Sequence, residues 1–386
     1  MKQKVAVLGA GLVGGPMAID LATDFEVIVA DNNRSNLERL AGLKTIEADL
    51  TDKTNMARVV SGTDLVINAV PGSIGFSVMR NIIELRKNVV DIAFYPEDIF
   101  LLDELARKND VIAICDMGVA PGMSHMLVGY ADNQLDMADL VRIYVGGLPK
   151  ERIPPYEYKA VFSPSDVIEE YTRPARLIRG GKLLSLEALS EVENIEFREP
   201  GILEAFNSDG LRSLVKTIKA PDMVEKTLRY PGHVDKIRVL RDTGFFSKEK
   251  IKVGSAKVSP MDITQELLFP LWKLEEGETD LTVMRVIVRG IKNKESISYQ
   301  WDLYDEYDPV TGIHSMARTT GYAATMAARM LLAGLYGRKG INPPEYLGLN
   351  EKCVQFILDG LKERGVDYGM SVTRDPDCHR DRRVSG

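Results

Sequence analysis

The sequence predicts an α/β protein in which a doubly wound parallel sheet is followed by a second, α+β domain with a mixed or antiparallel sheet. Over the first 130 residues, short β-branched runs alternate with segments of helical spacing, which is typical of strand–helix–strand units. From about residue 139, strand-like stretches follow one another with few helices between them. The length of 386 residues also exceeds what one ordinary core requires.

Apolar runs and helical spacing predict the individual elements. In the first part, the predicted strands are 5–8, 26–30, a third strand that ends at residues 48–49, and then 64–68, 88–92 and 111–115, and the predicted helices are 36–43 and 76–85. In the second part, the predicted strands are 140–146, 156–162, 176–178, 192–197, 280–289 and 296–304, and the predicted helices are 231–241, 263–274 and 315–336.

The composition, with 45% hydrophobic and 27% charged residues, indicates a soluble globular protein. A net charge of −7 argues against nucleic acid or an anionic membrane as the main partner. No segment approaches the roughly 20 apolar residues that span a bilayer, and no secretory signal precedes the first strand, so a cytoplasmic location is expected. The three cysteines are widely spaced and form no CxxC pair, so neither a disulfide nor a metal site is expected.

The most specific functional signal is a GxGxxG motif that follows the first strand and opens a helix. Its residues are Gly9, Ala10, Gly11, Leu12, Val13 and Gly14. In such motifs the first glycine permits a tight turn, the second lets the backbone approach a pyrophosphate, and the third permits close helix–strand packing. Because a helix N-terminus also attracts phosphates, the motif predicts a Rossmann-type site for a nicotinamide dinucleotide.

Residues at the ends of the next strands refine this site. Asp31 ends the second strand, where a carboxylate reaches the ribose hydroxyls and repels a 2′-phosphate, so NAD is predicted rather than NADP. Arg34 is the alternative, because it could bind that phosphate. Asp49, after the third strand, is predicted to contact the adenine ring, with an exposed loop aspartate as the alternative. The fourth strand brings a further group to the carboxyl edge of the sheet, where ligands bind: Asn68, Ala69, Val70 and Pro71.

Catalytic candidates follow the fifth and sixth strands. Tyr95 places a phenol at the rim of the predicted crevice, and His125 lies in the first turn of the helix after a Gly/Pro turn. Either residue could relay protons. Ser124 is predicted to contact substrate, with a helix N-cap as the alternative. For His125 the alternative is a packed histidine at a helix start.

Six segments together resemble the saccharopine dehydrogenase family, in its saccharopine reductase and lysine 6-dehydrogenase branch. They are the GxGxxG motif, Ala120-Pro121-Gly122 with His125, and residues 144–149, 169–176, 208–213 and 227–237. The run Thr-Leu-Arg-Tyr-Pro-Gly at 227–232 is specific on its own. The resemblance extends to about residue 365 and implies the Rossmann domain, a nicotinamide cofactor and an amino-acid substrate.

Two departures from the reductase pattern favour lysine as the substrate. Family reductases carry an active-site Asp and Cys where this sequence has Ala120 and Val145, neither of which binds polar atoms or moves protons. Reductases also commonly use NADP, whereas Asp31 indicates NAD. The resemblance therefore implies NAD-dependent oxidative deamination of the ε-amino group of L-lysine to allysine, which cyclises to piperideine-6-carboxylate, with release of ammonia.

Substrate-binding roles follow from the same resemblance. Arg229 matches the arginine that holds a substrate carboxylate in the reductases, and Arg212 is the second candidate. Asp209 is predicted to bind the α-ammonium group. A structural ion pair is the alternative for each arginine.

Two other functions stay open at this stage. Saccharopine reductase chemistry needs cations for a second dicarboxylate, which Arg173 and Arg176 could supply. A non-catalytic NAD-sensing protein is the second alternative. Relatives also suggest a homodimer, in which Trp272 and Trp301 could lie on the interface or, alternatively, fill a monomer core.

The predicted organisation has four parts. Residues 1–130 form the NAD-binding domain, residues 131–314 the substrate and dimerisation domain, and residues 315–365 a set of helices that pack back on the first domain. Residues 366–386 are predicted to be a disordered tail, because they are charged and nearly free of large apolar side chains.

Overall fold

The computed structural model describes residues 2–160, 164–275 and 277–375. The strands are β1 (Lys4–Leu8), β2 (Glu26–Asp31), β3 (Lys44–Glu47), β4 (Leu65–Asn68), β5 (Val89–Asp91), β6 (Ile112–Ile114), β7 (Met137–Pro149), β8 (Ala175–Arg179), β9 (Lys182–Leu186), β10 (Glu193–Glu196), β11 (Ile202–Asn207), β12 (Asp222–Arg229), β13 (Ile251–Val253), β14 (Ala256–Val258), β15 (Asp280–Lys292), β16 (Glu295–Glu306), β17 (Gly340–Asn342) and β18 (Tyr368–Asp375).

Thirteen helices and one short 3-10 turn (Ile99–Leu102) complete the described elements. The helices are α1 (Gly14–Ala22), α2 (Arg34–Glu38), α3 (Lys53–Val60), α4 (Gly72–Glu84), α5 (Asp103–Lys108), α6 (Met123–Gln134), α7 (Pro164–Thr172), α8 (Leu214–Thr217), α9 (His233–Thr243), α10 (Pro260–Trp272), α11 (Ser315–Leu332), α12 (Pro344–Gly348) and α13 (Glu351–Glu363).

The first sheet is parallel throughout, with the order β17-β6-β5-β4-β1-β2-β3. Chain order reverses between β1 and β4, which creates the switch point where doubly wound sheets bind ligands. The prediction of a doubly wound parallel sheet is confirmed. β17 was not expected, because the sequence analysis assigned only helices to that part of the chain.

The second sheet is mixed, with the order β10-β11-β12-β7-β15-β16-β18; in addition, β8 pairs with β12, and β9 pairs with β8. Only the pair β7 and β12 is parallel, and the other pairs are antiparallel. The longest strands of this sheet are β7, β15 and β16, with 13, 13 and 12 residues. The predicted α+β second domain with a mixed sheet is therefore also confirmed.

Two predicted elements are wrong. Residues 156–160 of the strand predicted at 156–162 form turns with a single isolated bridge at Ala160, and residues 161–163 lie outside the described residues. Here Tyr156 and Tyr158 pack edge-on against Trp272 instead of extending a sheet. Residues 368–375 of the predicted disordered tail form β18, because an open edge of β16 offers them backbone partners. Residues 376–386, with Cys378, lie outside the described residues.

Both tryptophan side chains fill the core of the monomer, since Trp272 is 0% and Trp301 1% exposed. They therefore do not lie on an exposed dimer face, and the alternative is what the structure shows. The homodimer itself stays a prediction. Within the described ranges, no helix has the length and apolar character required to cross a membrane.

A cluster of charges centred on Asp20 holds the C-terminal helices against the first domain. The Asp20 carboxylate accepts hydrogen bonds from Arg329 Nη1 (2.7 Å), Arg364 Nε (2.8 Å) and the Thr325 hydroxyl (2.5 Å). Asp24 also accepts from Arg329, at 2.9 Å, but half of its side chain is exposed. The Asp20 side chain is only 11% exposed, and the two arginines that it pairs with also have little access to water. The carboxylate is therefore needed to neutralise their charges.

We expect Asp20→Ala to lower the free energy of unfolding by about 2 kcal/mol, because two arginines then lose their main counter-charge. Asp24→Ala is the matched control and should cost less than about 1 kcal/mol, since its pair with Arg329 is half exposed. Urea unfolding monitored by circular dichroism measures both. Equal losses in the two variants would contradict the central role of Asp20.

Candidate functional site

A cavity of about 450 Å³ lies where the carboxyl edge of the first sheet faces the second sheet. The first sheet supplies the loops after β1, β4, β5 and β6, and the second domain supplies β7, α7, the segment after β11 and one face of β12. Met316 and Thr320 of α11 complete the lining. The position at the strand-order reversal is the one that doubly wound folds use for ligands.

The glycine motif forms one end of this cavity, and the spacing of its glycines has a steric cause. Gly9 has φ +101°, and a Cβ there would lie 2.4 Å from the Ala69 carbonyl oxygen. A Cβ on Gly14 would lie 2.1 Å from the Gly9 carbonyl oxygen. In contrast, no described atom lies within 4 Å of a Cβ on Gly11, which faces the cavity. This open space fits the close approach of a pyrophosphate to the backbone.

The start of α1 adds the electrostatics that phosphates require. Leu12, Val13 and Gly14 line the cavity, and the N-cap residue Val13 offers no side-chain acceptor to the N–H groups of the first turn. Those groups and the helix dipole favour an anion there. On the facing side, Ala69, Val70 and Pro71 also line the cavity, as predicted from the sequence. The residues present therefore fit a dinucleotide.

Asp31 ends β2 beside the glycine turn. Its carboxylate accepts from the Ala10 N–H at 2.6 Å and from the Asn33 N–H at 2.7 Å, and the residue is 9% exposed. Asp31 therefore stiffens the turn. It is not among the residues that line the cavity, and its contact with a ribose stays a prediction. Arg34, the alternative phosphate ligand, is exposed and pairs with Glu38 one turn along α2.

Two other predicted cofactor contacts have different surroundings. Asn68 is fully buried and donates to Asp91 Oδ1 at 2.8 Å, so its side chain connects β4 to β5 and does not line the cavity. Asp49 accepts from the Thr51 N–H and hydroxyl, at 2.9 and 2.7 Å, and these bonds lower its pKa. Its contact with an adenine ring stays a prediction.

The prediction that Tyr95 is catalytic is wrong. Its side chain is 0% exposed and points into the core beneath α4, where Gly75 leaves space for the ring. Burial raises the pKa of the phenol well above its usual value, so it does not relay protons near neutral pH. Phe94, one residue earlier, lines the cavity instead.

The predictions for Ser124 and His125 are also wrong. Both side chains are 0% exposed inside α6, and neither lines the cavity. His125 Nε2 donates to the Leu211 carbonyl at 3.1 Å, and Nδ1 accepts from the Ser124 hydroxyl at 3.0 Å. Burial lowers the pKa of His125 to about 4, so the ring stays neutral and has a packing role.

Arg212 forms a buried fork with Asp116. Its Nε and Nη2 each donate to an Asp116 oxygen at 3.0 Å, and Nη1 donates to the Tyr95 carbonyl at 2.7 Å. Because Arg212 does not line the cavity, the predicted role in binding a substrate carboxylate is wrong. The alternative of a structural ion pair is what the structure shows.

Arg229 lies at the end of β12, lines the cavity and is 2% exposed. Its Nη2 donates to Glu170 Oε2 at 2.9 Å, its Nε to the Tyr171 hydroxyl at 3.3 Å and its Nη1 to the Leu228 carbonyl at 2.8 Å. The guanidinium lies 4.5 Å from the centre of the Tyr158 ring. A cation held over aromatic faces is fixed in orientation. The structure thus places Arg229 at the cavity, and its contact with substrate stays a prediction.

Asp209 also lines the cavity but has a cation of its own. Arg176 Nε and Nη2 donate to its two carboxylate oxygens at 2.7 and 3.1 Å. Arg173 is less engaged: its nearest carboxylate contact in the described residues is Glu169, at 3.6 Å. Arg173 lines the cavity and lies 5.5 Å from the Phe94 ring centre. It is the arginine best placed to bind an anionic group of a ligand.

One side of the cavity, a polar wall formed by β12 and the segment after β11, was not predicted from the sequence. Glu225, Thr227 and Arg229 alternate along β12, so their side chains share the face that lines the cavity. The signal was this alternation of polar residues, which does not resemble a buried apolar strand. Ala120 and Val145, singled out from the sequence, do line the cavity.

Two family models together match most of the chain. "Saccharopine dehydrogenase NADP binding domain" matches residues 5–114, and "Saccharopine dehydrogenase C-terminal domain" matches residues 118–366. The chain belongs to the saccharopine dehydrogenase family. The resemblance stated from the sequence is confirmed, and the first model agrees with a dinucleotide site at the glycine turn.

Individual relatives are distant but extensive. The yeast (Saccharomyces cerevisiae) saccharopine dehydrogenase [NADP(+), L-glutamate-forming] is 24% identical and matches 95% of this chain and 100% of its own length. The mouse mitochondrial alpha-aminoadipic semialdehyde synthase is 24% identical over 96% of this chain, which spans 48% of that larger protein. A solved apo yeast saccharopine dehydrogenase (L-Glu forming) has a TM-score of 0.79 at 20% identity, covers 96% of this chain and 100% of its own, and shares the fold.

We expect Gly11→Val to weaken dinucleotide binding at least tenfold, about 1.4 kcal/mol, because its side chain occupies open space needed by the pyrophosphate. The thermal stability of Gly11→Val should match that of the wild type. Gly14→Ala is the contrasting variant: its Cβ meets the Gly9 carbonyl, so stability should fall by about 1–3 kcal/mol. Calorimetric titration with NAD and NADP, combined with thermal unfolding, separates the two effects. Unchanged binding by Gly11→Val would contradict this location for the site.

Proposed function

We propose that the chain is a nicotinamide-dependent oxidoreductase that cleaves the carbon–nitrogen bond of saccharopine, yielding allysine and glutamate. The observation that carries the proposal is the single cavity that combines the dinucleotide cradle at Gly11 with the arginine-bearing wall of β12. Family membership and the names of the yeast and mouse relatives support saccharopine as the substrate class. The relatives favour saccharopine over the lysine substrate expected from the sequence.

The reaction assigns separate tasks to the two ends of the cavity. A bound oxidised dinucleotide supplies the acceptor for a hydride, and the glycine turn with the start of α1 would hold its phosphates. Arg173 would bind a substrate carboxylate, because a guanidinium binds a carboxylate in a fixed fork. Arg229 already donates from all three nitrogens within the protein, so it would orient the substrate mainly through its positive charge. Ala120, Val145 and Phe94 form an apolar middle section that limits water around the reacting carbon.

NAD is the cofactor that we propose, on the basis of Asp31. Its carboxylate is fixed by two backbone N–H groups and lies at the end of β2, so it cannot turn away from a 2′-phosphate without breaking both bonds. The family model and the yeast relative both carry NADP in their descriptions. A preference for NAD would therefore distinguish this chain from the yeast relative and from the family model's description.

Oxidative deamination of lysine is the second candidate, and the cavity lining favours it. Five carboxylates line the cavity within the described ranges: Asp116, Glu169, Glu170, Asp209 and Glu225. Four of them pair with arginines, so few cations are left for the carboxylates of a ligand. Saccharopine brings three carboxylates and therefore needs several cations, whereas lysine brings one carboxylate and two ammonium groups. Ala120 and Val145, where family reductases carry Asp and Cys, favour the same candidate.

A substrate screen decides between these functions. The protein is incubated with saccharopine or L-lysine, each with NAD and with NADP, and the absorbance of the reduced cofactor is followed at several pH values. We expect reduction of NAD by saccharopine, with glutamate as a product. Turnover of lysine with release of ammonia would instead establish the second candidate. Tight dinucleotide binding without reduction by either substrate would contradict both and favour a cofactor-sensing protein.

We expect Arg173→Gln to raise the KM of the active substrate at least tenfold with a smaller effect on kcat, because a carboxylate contact is lost in ground and transition states alike. Arg179→Gln is the matched control: this arginine pairs with Glu191 outside the cavity and is half exposed. Steady-state kinetics of both variants provide the measurement. A KM that is raised equally in both would show that Arg173 does not bind substrate.

A further inference from the structure

A chain of hydrogen bonds runs along the polar wall of the cavity and ends on Glu225. The Thr227 hydroxyl donates to Ser208 Oγ at 2.8 Å, and the Ser208 hydroxyl donates to Glu225 Oε2 at 2.7 Å. All three residues are buried within the protein and line the cavity. The Glu225 carboxylate is also packed closely against Gly210, where a Cβ would lie 2.3 Å from Oε2. This packing fixes its position.

Glu225 differs from the other carboxylates of the cavity in its partners. Asp116 is paired with Arg212, Asp209 with Arg176, Glu170 with Arg229, and Glu169 with Arg173. The Glu225 carboxylate accepts hydrogen bonds from neutral donors, the Ser208 hydroxyl and the Gly210 N–H. A carboxylate held by a neutral donor takes up a proton without breaking an ion pair, so Glu225 is the member of this set best suited to accept one.

The surroundings of Glu225 also raise the pKa of its carboxyl, which suits it to accept a proton. Burial, together with the negative charges of Glu170 in α7 and Asp209 after β11, raises the pKa of its carboxyl to about 7, although the hydrogen bonds from the Ser208 hydroxyl and the Gly210 N–H lower it. The nearby arginines Arg229 and Arg176 are bonded to Glu170 and Asp209 themselves. A carboxyl with this pKa exchanges protons near neutral pH, as general acid–base chemistry requires.

We propose that Glu225 is a catalytic residue that takes the proton from the substrate amine as the carbon–nitrogen bond is oxidised. This inference rests on the proposed function and holds for either substrate, since both carry an amine that is protonated in water. An ammonium nitrogen has no lone pair with which to assist departure of a hydride. A base in contact with the amine removes that barrier.

The steps balance as follows. The amine N–H proton moves to the Glu225 carboxylate, and the nitrogen lone pair forms the carbon–nitrogen double bond as hydride leaves carbon for the oxidised dinucleotide with its bonding electrons. Water then adds to the carbon of the resulting iminium group, and one of its protons passes to the nitrogen and the other to solvent as the carbon–nitrogen bond breaks to give the aldehyde. The nitrogen leaves as the amine of glutamate, or as ammonia if the substrate is lysine. Glu225 returns its proton to that leaving nitrogen.

The test compares Glu225→Gln with Glu345→Gln in the full-length protein. Glu345 is the matched control because it is also buried, has a pKa raised to about 7 by burial, and accepts from a threonine hydroxyl at 2.6 Å, yet does not line the cavity. The readout is kcat at saturating active substrate and NAD across the pH range, with dinucleotide affinity measured alongside.

We expect wild-type kcat to fall as the pH drops below about 7, because protonated Glu225 cannot accept a proton. Glu225→Gln should lose this acid limb and about 100-fold in kcat, the lower range for general acid–base catalysis, while it still binds NAD. Glu345→Gln should keep both the limb and the rate. An unchanged limb and kcat in Glu225→Gln would overturn the proposal, whereas a wild type inactive on both amines would overturn the proposed function.

Ser208→Ala provides a second test of the role of Glu225 if Glu225→Gln fails to fold. Loss of the hydroxyl removes a donor that stabilises the charged carboxylate, so the pKa of Glu225 rises and the acid limb moves to higher pH. A purely structural role for Ser208 would lower the rate at every pH equally. A limb that does not move would overturn the assignment of Glu225.

Discussion

The buried fork between Asp116 and Arg212 connects the carboxyl edge of the first sheet to the segment after β11 in the second domain. Both residues have positive φ, +54° and +46°, a backbone conformation that is costly for residues other than glycine. The third nitrogen of Arg212 binds the Tyr95 carbonyl and thus also holds the loop after β5. Because an unpaired charge is costly in such a buried position, the relative placement of the two walls of the cavity depends on this pair.

That constraint explains how two domains make one site. The first domain provides the glycine turn and the apolar loops, and the second provides the stripe of Glu225, Thr227 and Arg229. Neither wall is complete alone. The arginines of the second wall are largely paired with its carboxylates, so a ligand would meet a preorganised network with few free charges. The ionic groups of the ligand must therefore bind without leaving these paired charges unbalanced.

The parts of the fold that could be predicted are those with a local signal. Runs of buried β-branched residues revealed the first sheet, and the glycine spacing revealed the dinucleotide cradle. β12 was missed because its charged residues face the cavity and another polar surface. The position of Tyr95 depended on space left by Gly75, and the engagement of Arg212 depended on a carboxylate 96 positions away. Such pairings arise from tertiary structure and have no counterpart in local spacing.

The edge strand β17 has a consequence for how the chain acquires its structure during synthesis. It adds three residues, Gly340–Asn342, beside β6, which ends at Ile114, so more than half of the chain separates these neighbours. A nascent chain that has left the ribosome only as far as the second sheet therefore exposes the unpaired edge of β6. An exposed edge invites pairing with other chains, so this edge of the first sheet is covered by its own chain only after residues 340–342 have emerged.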